Sequence, residues 1–141
     1  MKALYISPNK QEFLKKLPTC LPKKEEQKPW LSQKAEEYYK QGKYEIAFVF
    51  FQKAQELSTK DIKEKNVFLE RMADCRYQQG LNYEKTNAID AWLLFNKAEK
   101  IYKDCLGEEH KKTIETSEKA KHYEQISDKE LMESCFNPIN K

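Results

Sequence analysis

The side chains able to do chemistry in this chain are few, and their spacing argues against most of it. The two histidines, His110 and His122, have no nucleophile partner in their sequence context. Cys105, near His110, reads as the end of a helix, and His110 as a structural residue of a connector. Cys20, Cys75, Cys105 and Cys135 are separated by 55, 30 and 30 positions, with no CxxC and no histidine at ligand spacing. They are expected to be free, partly buried thiols rather than zinc ligands. Gly42, Gly80 and Gly107 stand alone beside turns, so no glycine-rich phosphate loop can be built. Carboxylate pairs such as Glu36/Glu37 and Glu108/Glu109 lie in ordinary helical surface runs. The expectation is a chain that binds rather than catalyses, with no catalytic residue, metal or cofactor.

Charge narrows what it would bind. Twenty-six basic and 23 acidic residues leave a net charge of +3, and the two signs alternate along the chain. A nucleic-acid protein gathers its positive charge on one face or arm, because neutralising phosphates supplies most of its affinity. Here only Lys15, Lys16, Lys23, Lys24 and Lys28 cluster, and Glu25 and Glu26 interrupt them. Neither DNA nor RNA is an expected partner. The longest apolar run, 46–51, falls far short of the roughly 20 residues that cross a bilayer. The first residues lack the apolar core of a secretory signal, so a reducing cytosolic or nuclear setting is expected, with organelle import through Lys2 and Lys10 as the alternative.

The elements that would carry a binding surface follow from periodicity. With 141 residues, 35% of them charged, 3 glycines and 5 prolines, the chain suits one all-α domain of long helices joined by short turns. It also repeats itself. The segment AFVFFQKAQEL from Ala47 aligns without gaps on AWLLFNKAEKI from Ala91, an offset of 44. Upstream of the first copy, Ala35 and Tyr38 share a helix face, Gly42 breaks the helix, and Tyr44 and Ala47 begin the next. Ala35, Ala47 and Ala54 let two backbones approach, with Tyr38, Tyr44 and Phe51 filling the space around the contact.

The series Ala35, Tyr38, Gly42, Ala47, Phe51 and Ala54 resembles the tetratricopeptide repeat, whose tryptophan-like opening Trp30 and Leu31 approximate. The closing proline is absent, with Thr59 near its place. The second copy exceeds the family's unit of about 34 residues, the excess falling between Ala54 and Ala73 and between Gly80 and Ala91. We therefore expect a helix from about Asp61 to Gln79, a loop at 81–87, and a helix from about Ala88 to Cys105. LGEEHKKT, from Leu106 to Thr113, resembles the connector of kinesin-light-chain repeats, with Lys111 in place of its proline. Ala120 and Tyr123 repeat the spacing of Ala35 and Tyr38. Ser127 with Glu130 forms a capping box that would open a short terminal helix ending before Asn137 and Pro138.

The resemblance thus implies a short right-handed array of helical hairpins, about two and a half to three repeats, at 30–60, 61–107 and 111–136. A polar terminal helix would cap it, and a tail of 137–141 would follow. Residues 1–29 form an arm with a short helix that Ser7 and Pro8 start and Pro18 ends, carrying Phe13, Leu14 and Leu17 on its apolar edge.

In this family the first helix of each pair lines a concave face. Projected by helical spacing, that face holds Ser32, Glu36, Tyr39 and Lys40, then Glu70, Asp74, Tyr77 and Gln78, then Ser117, Lys121, Glu124 and Gln125. Four carboxylates face two lysines, so the groove would favour a basic, apolar segment of a protein partner. The Lys and Asn clamp with which co-chaperone members hold the acidic chaperone tail is missing, since Ser32, Glu36 and Arg71 occupy those places. Ile46, Val49, Ile89 and Leu93 lie opposite the packing stripe, as an outer face covered by the arm, by the next repeat or by a partner. Two functions follow: an adaptor using the concave groove, or a fixed subunit of a cytoskeletal, ciliary or transport assembly using the arm and outer face.

Overall fold

The computed structural model describes residues 24–58 and 60–136, and the expected arm helix at 8–17 and the tail at 137–141 lie outside them. Those residues form five α-helices and no strand: α1 (Lys24–Lys40), α2 (Tyr44–Leu57), α3 (Ile62–Tyr83), α4 (Ala88–Leu106) and α5 (Lys111–Phe136). Each helix packs chiefly on its neighbours in sequence. None is long and apolar enough to cross a membrane.

The ends are set by local chemistry. α1 stops at Gly42, whose φ of 78° is a left-handed conformation that glycine adopts without strain. Lys43 N donates to Tyr38 O and Gly42 N to Tyr39 O, both at 3.0 Å, satisfying the last carbonyls of α1. Asp61 caps α3 by accepting from Lys63 N and Glu64 N at 3.0 and 3.3 Å. Asn87 accepts from Asp90 N at 3.1 Å to start α4. His110 Nδ1 accepts from Lys112 N at 3.1 Å and so caps α5, while Thr113 Oγ1 donates to Gly107 O across the connector.

Three boundaries differ from expectation. α1 begins at Lys24 and runs through Pro29 rather than starting after it. Pro29 is the sixth residue of this helix, and the N–H it lacks leaves the Glu25 carbonyl without its i+4 donor. A Lys28–Glu64 ion pair at 2.7 Å and the edge of Trp30 on Phe50 fasten this end to the body. α3 continues through Gly80 to Tyr83, so the expected loop at 81–87 shrinks to the residues after Tyr83. Gly80 ends no helix. A Cβ there would lie 2.8 Å from Phe95 Cε1, so the glycine is a notch that admits a ring. Finally, α5 is one unbroken helix. Ser127 is buried at 4% exposure in mid-helix rather than capping a second one.

The repeated stripe is the core. Ala47, Phe51 and Ala54 of α2 and Ala91, Phe95 and Ala98 of α4 are all buried, as is Ala35. Phe50, which the repeat alignment does not single out, is also buried and stacks on Tyr38 with centroids 5.5 Å apart. Three clusters adjoin: Ile101 packs against the first two, and Tyr77 against the second and third. Neighbouring hairpins therefore share one continuous apolar layer.

Candidate groove on the first, third and fifth helices

α3 is the central element of one face, with α1 on one side and α5 on the other. Arg71 of α3 reaches across to Glu36 of α1 with Nε at 2.8 Å from Oε1 and Nη2 at 2.6 Å from Oε2, and its Nη1 donates to Asp74 Oδ2 at 2.9 Å. The two-pronged geometry matches the planar guanidinium to a carboxylate. Its flat face lies 4.2 Å from the Tyr39 ring centroid. Burial works against the Arg71 charge, but its bonds to Glu36 and Asp74 outweigh burial and leave the group still more firmly protonated than usual.

Asp74 is only 8% exposed, and the groups around it account for how a carboxylate can sit there. Besides Arg71, the Tyr102 hydroxyl of α4 donates to its Oδ1, and Lys112 Nζ of α5 lies 3.3 Å from the same oxygen. Lys112 also donates to Glu70. Burial and the negative Asp74 both push the Tyr102 phenol well above its ordinary range. Burial would lower the Lys112 ammonium, but Glu70 and Asp74 reverse that and raise it. The result ties four helices through one polar cluster, and no buried side-chain nitrogen or oxygen among the described residues lacks a partner.

Two adjoining cavities open above this cluster. The first, about 260 Å³, is lined by Tyr39, Asp74, Tyr77, Gln78, Tyr102, Lys112, Glu115 and Thr116. The second, about 450 Å³, is lined by Tyr77, Glu115, Glu118, Lys119, His122 and Tyr123. Tyr77 and Glu115 belong to both, so the two form one groove. Its walls are aromatic: Tyr77 meets Phe95 edge-on at 5.4 Å, Tyr123 stacks on Phe95 at 5.7 Å, and His122 stands edge-on to Tyr123 at 4.9 Å. Burial raises the phenols of Tyr39 and Tyr77, keeping them as neutral donors.

Of the residues projected onto the concave face, the structure brings together Glu36, Tyr39, Glu70, Asp74, Tyr77 and Gln78. Ser32 and Ser117 are half-buried and Lys40, Lys121, Glu124 and Gln125 exposed, and none of the six lines either cavity. The register slips on α5, which buries Thr113, Thr116, Ala120 and Ser127. That rotation turns Lys121 and Glu124 away and presents Lys112, Glu115, Lys119 and Tyr123 instead. The charge expectation also changes. Glu36, Glu70 and Asp74 are each ion-paired within the chain by Arg71 and Lys112, which offset all but one of their charges. Lys119 is engaged with Glu84 at 2.7 Å. The carboxylates left facing the groove are Glu115, whose nearest cation is Lys111 at 3.9 Å, and Glu118, which makes no ion pair among the described residues. The i, i+3 spacing of Arg71 and Asp74 hinted at one of these pairs, but no sequence signal tied Lys112 to α3.

On the outer side, Val49, Ile89 and Leu93 are exposed, whereas Ile46 is half-buried against the first core cluster. Burial pushes the Cys75 thiol up to about 12 and the Cys105 thiol up to about 11, so both are held protonated. Among the described residues, no group of three His, Cys, Asp or Glu side chains is placed to hold a metal ion. No protein-family model, curated protein or solved structure matches the chain.

Proposed function

We propose that this chain is a non-catalytic adaptor of tetratricopeptide type whose groove takes up an extended or helical segment of a partner protein. The observation that carries the reading is the groove itself. Alternate helices supply Tyr39, Tyr77 and Tyr123 along it, over a floor whose charges are already paired. Tyrosines give large, stiff contact area with a polar tip, a combination that concentrates binding energy. The floor's three carboxylates share two cations and keep one net negative charge, to which Glu115 and Glu118 add, favouring a segment that combines basic and apolar side chains. The family reading is supported by the roles of Ala35, Ala47, Phe51 and Ala54 in the core and of Gly42 in the turn.

The test is affinity capture with mass spectrometry, comparing the wild-type chain with a Glu115→Lys/Glu118→Lys variant. Both positions are exposed, so the exchange disturbs no buried contact, and circular dichroism of the variant checks that its helicity is kept. A partner recovered by the wild type and lost by the variant supports the groove. The same partners in both samples would remove it as the binding site.

A second reading rests on Val49, Ile89 and Leu93, which α2 and α4 expose on the other side at 47, 38 and 41%. A fixed subunit of a cytoskeletal, ciliary or transport assembly would keep this face covered permanently. Light scattering separates the two, since a clean monomer at high concentration counts against the fixed subunit.

A further inference from the structure

We infer that the first cavity of the groove is an arginine site: the guanidinium of one side chain of the partner segment enters between Tyr39 and Tyr77, toward Asp74. This rests on the adaptor reading and names the residue that anchors the segment. The charge beside the cavity calls for a cation. Glu36, Glu70 and Asp74 share Arg71 and Lys112, so one negative charge is left over. Glu115, which also lines the cavity, adds to it, since its pair with Lys111 is a loose surface contact at 3.9 Å with the lysine side chain 85% exposed. Lys112 lines the cavity too, but Glu70 and Asp74 hold its ammonium. An entering carboxylate is repelled here and an entering cation attracted.

Acceptors for its N–H groups are at hand. A carboxylate offers about four lone-pair sites. Asp74 uses Oδ1 for Tyr102 and Lys112 and Oδ2 for Arg71, which leaves a site on Oδ2. Gln78 lines the same cavity and makes no side-chain hydrogen bond among the described residues. With Glu115, these give a forked donor several acceptors at once. The shape suits arginine rather than lysine. The cavity, about 260 Å³, admits the end of one side chain, and Tyr39 and Tyr77 line it. A guanidinium is flat, stacks on aromatic rings and is weakly hydrated, whereas an ammonium is a strongly hydrated point charge. The chain's own arginines already use rings in this way. Arg71 lies 4.2 Å from the Tyr39 centroid and Arg76 lies 3.8 Å from that of Phe48.

The experiment pans a phage-displayed random-peptide library on the full chain. Enriched peptides are titrated as found, with the arginine replaced by lysine, and with it replaced by citrulline, which keeps the shape and removes the charge. Each is titrated against the wild type and a Gln78→Leu/Glu115→Gln variant whose helicity circular dichroism checks. We expect arginine at one shared position and affinity at least about tenfold lower for the lysine and citrulline forms. The variant should bring the arginine peptide down to the level of the citrulline peptide and leave the citrulline peptide unchanged. If the double variant unfolds, Glu115→Gln alone, at an exposed position, gives the same comparison. Three results overturn the inference and leave the adaptor reading standing: enrichment without a shared arginine, equal binding of the lysine or citrulline form, or a variant that weakens all three peptides alike or none. Failure to enrich any peptide removes the adaptor reading itself, and the arginine site with it.

Discussion

Arg71 of α3 grips both carboxylate oxygens of Glu36 on α1 while its third nitrogen, Nη1, donates to Asp74 on its own helix. One planar cation thus joins two helices that are not neighbours in sequence and closes the floor of the groove. Arg71→Ala should destabilise the fold by about 1.5–3 kcal/mol, the range for hydrogen bonds to charged groups. Arg71→Lys should recover little of it, because a point charge cannot span Glu36 and Asp74 together. Urea denaturation of the three proteins checks this. Equal stability of the Lys variant and the wild type would mean that the geometry is incidental.

Gly80 and Gly42 should respond to alanine for different reasons. At Gly80, a helix interior normally gains about 1 kcal/mol from the exchange. Here the new methyl meets the buried Phe95 ring, and overpacking of about 1–3 kcal/mol should win. At Gly42 nothing lies within 4 Å of the added carbon, so its cost, about 1–2 kcal/mol, comes from the positive φ alone. A double-mutant cycle with Phe95→Leu distinguishes them: coupling to Gly80→Ala is expected, and none to Gly42→Ala.

This contrast shows what was legible in the sequence. The repeated Ala, Phe, Ala stripe gave the helices and their buried faces, because spacing alone fixes which side of a helix meets its neighbour. Gly42 read correctly as a turn and Gly80 did not, since composition cannot tell a glycine that ends a helix from one that makes room for a ring. The α1 and α3 portions of the groove followed from the same spacing. The α5 portion did not. Its register depends on Thr113, Thr116 and Ser127 being buried, and small hydroxyl residues carry no hydrophobic signal. Nor could the ion pairing be foreseen, because Lys112 meets Glu70 and Asp74 only once the chain is folded. A Glu36→Lys/Asp74→Lys exchange on that face would break the fold's own polar cluster.

Alkaline pH should unfold this protein early. The Cys75 thiol titrates near 9.0 when unfolded and at about 12 when buried. Between those values the unfolded chain has released a proton that the folded chain retains, so stability falls as pH rises. Tyr102 acts with the same sign from about pH 10 upward, its folded phenol being raised by burial and Asp74. Melting temperatures should decline from about pH 9, and Cys75→Ala should flatten the first part of that decline. A wild-type curve level to about pH 11 would contradict the burial of both groups.

Peptides ending in EEVD should not bind. The basic side chains beside the groove, Arg71, Lys112 and Lys119, are each engaged by carboxylates of the chain, and Glu115 and Glu118 repel an acidic tail. Calorimetry should give no measurable heat of binding. A dissociation constant of about 1 μM, equivalent to about 8 kcal/mol, would show that those cations are available after all.

The central claim is that partners are recognised in the groove, and the most direct test is the affinity of a captured partner segment for three proteins. These are the wild type, Glu115→Lys/Glu118→Lys, and a Val49→Asp/Leu93→Asp control on the outer face. We predict that the groove variant binds at least about tenfold more weakly, a loss of about 1.4 kcal/mol. Binding by the wild type should also weaken with added salt, and the control should match the wild type. Full affinity in the groove variant together with loss in the control would contradict the account and assign recognition to the opposite side of the molecule.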